Sequence, residues 1–297
     1  MDNLIKNGDY PWIKHIISPI APYFICDYYY STEVYRNNKK YIGQNILNLI
    51  NNDKNDLSLN GNINKIKEGD IILVQVDLFE DFINKILPSI KCKIVLFTSQ
   101  YHYPQLHKNE LTEKIINDDK IILWISQNPI YNNHKKYMAF PFGMSQNKAD
   151  KYMEYVKKNY HNILNIDTKK NYCYNSNHKC HDHLPENHIR RHPIFKNKSH
   201  WIEYNMYLNE ILKSKFTIST GGDRDDCFRH YECIGLNSVP ISNISYEEIF
   251  GKNMIKSDIN DLIKIVNDDK IIDYNPPNRD IITMEYWRNQ IKLRLRK

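Results

Sequence analysis

Between two short apolar runs the chain reads STGGDRDDCFRHYE, residues 219–232, a concentration of groups able to hold an anion. Two glycines allow a tight turn and a close approach of backbone amides to a ligand. A helix beginning near Asp225 or Asp226 would present free N–H groups and a positive dipole end, a natural phosphate site. Arg229 and Glu232 stand three apart, so a helix puts them on one face. A guanidinium fork suits a diphosphate, and a carboxylate suits a pair of ribose hydroxyls. The same spacing would also build an ordinary N-cap followed by a surface ion pair. Asp223-x-Asp225 offers two hard oxygen ligands for Mn²⁺ or Mg²⁺. A cation beside Arg229 would be redundant on one diphosphate, so no metal ligand is assigned.

Other groups could complete a reaction centre. Asp77 ends the run IILVQVD (71–77), where α/β folds present site residues, and could take a proton from a hydroxyl. It could equally cap the helix that follows. His102, just past the run KIVLFTS (93–99), is the second candidate base. Gln127-Asn128-Pro129 would make a turn or line a cleft, and Tyr101, Tyr103, Trp124 and Tyr131 would stack on sugar rings or pack in the core. The segment 171–195 carries Cys173, Cys180 and five histidines, ligand types suited to zinc but without a matched pair of short spacings.

The elements that must position these residues follow from hydrophobic periodicity. Runs at 23–26, 71–76, 93–99 and 120–126 are short, apolar and β-branched, as strands buried on both faces should be. Between them the spacing predicts helices over 34–52, 79–90 and about 106–116. A charged helix over 147–159 follows. Then come a helix over 201–214, a strand over 215–220, a helix over 227–236 and a strand over 239–242. Alternation of this kind predicts an α/β layer fold with parallel sheets. A change of texture after Gly143 divides the chain into 1–145 and 146–280. The tail 281–297 predicts a basic amphipathic helix, expected to pack back on the first domain.

The order of these motifs resembles the exostosin-like glycosyltransferases. Residues 219–232 are similar to that family's Ser-Pro, Gly-rich turn, Asp, then Arg-x-x-Glu, and Pro240 falls where its Gly-Cys-Ile-Pro strand begins. DIILVQVDLFEDF (70–82), IVLFTSQYHYPQ (94–105) and ILWISQNPIYNNHKKYMAFPFGM (122–144) resemble its upstream segments, so the likeness spans roughly 70–245. The resemblance implies a GT-B architecture, with two Rossmann-like domains facing across a cleft. It implies a nucleotide-sugar donor (UDP- or GDP-linked) in the second half and a glycan acceptor in the first, with inverting transfer. On this resemblance Arg229 would contact the diphosphate and Glu232 the ribose, and Gly222 and Asp226 would shape the loop. Arg191, with its neighbour Arg190, would supply a second diphosphate contact. Here Thr220, Arg224, Phe228 and Asn237 replace the family's Pro, Gly, His and Gly. A non-catalytic nucleotide- or glycan-binding module on the same fold is the alternative.

Bulk properties limit the other classes. The net charge of +6 over 297 residues suits a small anionic ligand and lacks the dense basic tract of a nucleic-acid binder. Six scattered cysteines read as reduced thiols, and no apolar run approaches a membrane span or a leader's core. A cytoplasmic location is the expectation.

Overall fold

In the computed structural model the described residues are 1–8, 10–31, 55–58, 61–99, 106–127, 129–175, 202–222, 225–268 and 273–296. In chain order they form β1 (Tyr28–Tyr30), β2 (Ile71–Gln75), β3 (Ile94–Ser99), α1 (Glu110–Ile116), β4 (Ile121–Ser126) and β5 (Tyr137–Ala139). Next come α2 (Ala149–Lys158), β6 (Lys170–Tyr174), α3 (Tyr204–Lys213), β7 (Ser214–Ile218), α4 (Phe228–Gly235) and β8 (Val239–Ser242). β9 (Ile255–Lys256), α5 (Ile259–Asp268) and α6 (Met284–Leu295) follow, and shorter helical turns such as Asp2–Asn7, Tyr160–Leu164 and Glu247–Phe250 lie between these elements or before them. Among the described residues no helix is long and apolar enough to cross a membrane.

The fold is mixed α/β, with two parallel sheets ordered β1-β2-β3-β4-β5 and β6-β7-β8-β9. Neither order reverses among the described strands, so neither sheet shows a topological switch point. Chain contacts divide the molecule into two units. One comprises 17–147 with 287–297, and the other comprises 1–16 with 148–286.

In the first unit all six residues of β3 are buried, as a parallel sheet covered on both faces requires. One face, carrying Ile72, Val74, Leu96 and Trp124, packs on Phe79, Phe82, Ile83 and Leu87 of the helical stretch 76–89 and on Ile115 and Ile116 of α1. Trp124 stacks on Phe79, and the rings of Tyr131 and Tyr137 meet its edges. Trp124 and Tyr131 are therefore core residues. On the other side the Phe97 ring meets Phe140 edge-on at 4.9 Å, and Phe140 meets Trp287 of α6 at 5.5 Å. Arg294 of α6 donates to the carbonyls of His134 and Tyr137, and Arg288 to that of Phe24. The basic residues of the tail thus serve partly as struts.

The run 23–26 is not a strand. Ala21–Phe24 is a 3₁₀ turn, because Pro22 fixes its own φ and removes a donor that a ladder would need, and β1 begins only at Tyr28. The predicted helix 34–52 lies outside the described residues.

In the second unit Phe216, Ile218, Val239 and Ile241 of β7 and β8 pack on Leu262 and Ile265 of α5. Pro240 sits inside an interior strand, a position normally closed to proline. It is accommodated because β9 pairs only from Ile241 onward. Residues 1–16 join this unit through buried Trp12, Ile13 and Ile16 and a bridge from Ile16 to Thr283.

Candidate functional site

The site is built on α4. β7 ends at Ile218, and the Ser219 N–H still donates to the Ile241 carbonyl at 2.9 Å. The Gly221 N–H then donates to Asn243 Oδ1 at 3.1 Å, tying the turn to the end of β8. Gly222 is half-buried in this turn. The helix runs from Phe228 to Gly235, within a residue of the predicted 227–236 and two to three residues past Asp225 and Asp226. Its N-cap is Cys227, where a reciprocal capping box with His230 holds the first turn. Asp226 precedes the cap and is 1% exposed, accepting a hydrogen bond from the Tyr231 hydroxyl. It is a structural anchor for the turn. Asp225 is exposed.

Arg229 and Glu232 emerge on one face, and two tyrosines of α3 link them. The Tyr204 hydroxyl donates to one Glu232 oxygen at 2.7 Å, and the Tyr207 hydroxyl donates to the other at 2.8 Å. Tyr207 is also a hydrogen-bond partner of Arg229. Burial, reinforced by the Glu232 charge, raises the pKa of both tyrosines, so both hydroxyls stay protonated and donate. Lys148 lies 4.5 Å from the centre of the Tyr204 ring, a cation–π contact at the rim. The result is a continuous row from Lys148 through Tyr204, Glu232 and Tyr207 to Arg229. A carboxylate oxygen can accept more than one hydrogen bond, so Glu232 stays a fixed acceptor while it is held.

The far end of α4 is anchored with equal care. The Tyr152 hydroxyl donates to the Glu232 carbonyl at 2.9 Å, Arg279 Nε to that of Gly235 at 3.1 Å, and Lys169 Nζ to that of Leu236 at 2.9 Å. Cations at these carbonyls complement the helix dipole. A Cβ on Gly235 would lie 2.2 Å from the Tyr152 oxygen, so this close approach requires glycine. Asn237 follows with φ +57°, and the N–H groups of Asn237 and Ser238 close a Schellman motif on Ile234 and Cys233. Asparagine tolerates that left-handed position.

Lys169 is 5% exposed, also donates to the Leu212 carbonyl, and has its pKa lowered to about 7, chiefly by burial. The folded pKa lies below the unfolded value near 10.4, so the unfolded chain binds more protons between those limits. Stability from this group is therefore least below pH 7 and rises with pH above it, by at most about 1.4 kcal/mol per pH unit. Urea unfolding at pH 7 and 8.5 should show this rise, and Lys169→Met should flatten it. An equal rise in both proteins would refute the assignment.

In the first unit Asp77 sits in the turn that ends β2. Asp77 is exposed, and partial desolvation near its carboxyl raises its pKa against the opposing effect of the Asp77 and Leu78 N–H groups, a direction that suits a base. Gln127 is buried and donates to the Ser18 and Pro141 carbonyls, so it braces loops. His102, Arg190, Arg191, Asn128, Asp223, Tyr101 and Tyr103, and the Cys/His-rich stretch from 176 onward, lie outside the described residues. Among the described residues, no three His, Cys, Asp or Glu side chains gather as metal ligands would.

Sequence reasoning missed Tyr204, Tyr207, Lys148 and Lys169. The two tyrosines stand three apart on a segment read as helix, a spacing that puts both on one face. That was the available signal. Comparison with protein-family models and with curated proteins finds no match, and the candidate site is defined by its own geometry.

Proposed function

We propose that the chain is a glycosyltransferase of GT-B type. It would move a sugar from a nucleotide-diphosphate donor, UDP- or GDP-linked, to a hydroxyl of a glycan or glycoconjugate, with inversion. The observation that carries this reading is the row formed by Arg229 and Glu232 of α4 with Tyr204 and Tyr207 of α3, directly behind a glycine turn at the end of a parallel strand. The positive end of the α4 dipole there favours phosphate, and Arg229 adds a guanidinium fork. The leaving diphosphate gains negative charge as the glycosidic bond breaks. Fixed donors aimed at that charge lower the barrier without reorganising. Glu232, immobilised by two tyrosines, would accept hydrogen bonds from the ribose hydroxyls. Asp77, or His102 beyond it, would take the acceptor proton.

A thermal-shift panel of UDP- and GDP-sugars tests donor binding directly. A ligand bound only by the native state stabilises it by about 2.7 kcal/mol at a hundred times its dissociation constant. At least one donor should raise the melting temperature, and no shift across the panel would sink the proposal. The complete engagement of Glu232 by tyrosines also favours a second reading, a nucleotide-binding module without turnover. Calorimetric binding with neither hydrolysis nor transfer would establish that alternative.

A further inference from the structure

One pair in the turn is not used by the donor reading. The Cys227 thiol is half-buried, and its Sγ lies 3.2 Å from His230 Nδ1. His230 is wholly buried, and its other ring nitrogen, Nε2, is 2.9 Å from the Ser242 hydroxyl at the end of β8. The imidazole also packs against the Phe250 ring at 5.3 Å, which limits its rotation. Nucleophile, base and orienting group thus stand in hydrogen-bond sequence, the arrangement that activates a thiol. The sulfur also sits at the N-cap of α4, where the helix dipole favours an anion.

We propose that Cys227 and His230 form an activated thiol, a site of covalent modification whose natural reagent class is the hydroperoxides. The Nδ1 lone pair, shared with the Cys227 N–H at 3.1 Å, takes the thiol proton, while Nε2–H stays on Ser242. The sulfur then attacks one peroxide oxygen. An S–O bond forms and the O–O bond breaks. Sulfur is oxidised to sulfenic acid, and the departing alkoxide, or hydroxide in the case of hydrogen peroxide, collects the proton from His230 as an alcohol or water.

The consequence is structural as well as chemical. Sγ reaches the Thr220 carbonyl at 3.5 Å and the Ser219 hydroxyl at 3.7 Å, so it joins the end of β7 to the start of α4. An oxygen added at sulfur must displace these contacts and loosen the turn that carries Gly221 and Gly222. The inference does not depend on the donor reading, because its test reads thiol chemistry alone.

The protein carries its own controls. Cys26, Cys92 and Cys233 all have pKa values raised, chiefly by burial, which keeps them protonated and slow. The full chain would be treated at pH 7 with limiting iodoacetamide, and separately with hydrogen peroxide followed by a sulfenic-acid trap, with peptide mass spectrometry as readout. Cys227 should react about ten times faster than each of those three. His230→Gln keeps a capping acceptor at the same helical position but removes the base. It should slow Cys227 about tenfold and leave Cys92 unchanged. Labelling of Cys227 no faster than Cys92, or equal Cys227 rates in the wild type and His230→Gln, would overturn the proposal.

Discussion

Replacing Arg229 by alanine is expected to lower donor affinity or turnover by at least about a hundredfold, the usual effect of removing one preorganised donor from a developing anion. The loss should be specific to the site. Tyr204 and Tyr207 still hold Glu232 in the variant, and the three side chains that cap the far end of α4 are untouched. Arg229→Lys keeps the charge but cannot present a planar fork, so its defect should fall between those of the wild type and the alanine variant. Equilibrium binding of the nucleotide sugar found by thermal shift, followed by turnover, distinguishes the cases. Wild-type affinity and rate in a folded Arg229→Ala protein would remove Arg229 from the site and, with it, the main support for a donor pocket on α4.

The second large effect is on stability. Trp287 is 3% exposed and lies against Phe140, which lies in turn against Phe97 at the centre of the first sheet. Truncation to alanine removes an aromatic contact and leaves a cavity at the edge of a packed core. Such changes cost about 3–5 kcal/mol. A domain typically has about 5–15 kcal/mol in total, so the unit made of 17–147 and 287–297 should be close to unfolding. Urea titration monitored on that unit should show its midpoint fall sharply, with Trp287→Phe intermediate. A change under about 1 kcal/mol would mean that α6 merely lies on the surface, where substitutions are nearly neutral.

Much of the strand pattern was legible because burial on both faces writes itself locally. The runs at 71–76, 93–99 and 120–126 are within a residue of β2, β3 and β4. β6 was not recoverable from periodicity, since Lys170-Asn-Tyr-Cys-Tyr174 has no apolar run, and β9 is only two residues long. The run 23–26 misled because Pro22 outweighs its apolar neighbours. At the site, the sequence placed Arg229 and Glu232 together on a helix over 227–236, within a residue of α4, but offered Asp225 or Asp226 as its start. Cys227 took the cap instead, since His230 stands at the position that reciprocates it. The partners of Glu232 come from α3, and Lys169 comes from the entry to β6. Contacts between separate elements leave no mark on the local sequence, so these escaped.

The exchange of chain ends between the two units has a consequence for the order of synthesis. The strands of the first sheet leave the ribosome long before Trp287, and until then the face around Phe97 and Phe140 lacks its cover. The second unit receives its earliest segment first, with Trp12, Ile13 and Ile16 waiting for the residues that will bury them. Vectorial folding, one unit finished before the next begins, is therefore closed to this chain. Severing it at the boundary after Asn147 would yield two fragments, each carrying a strip that belongs to the other.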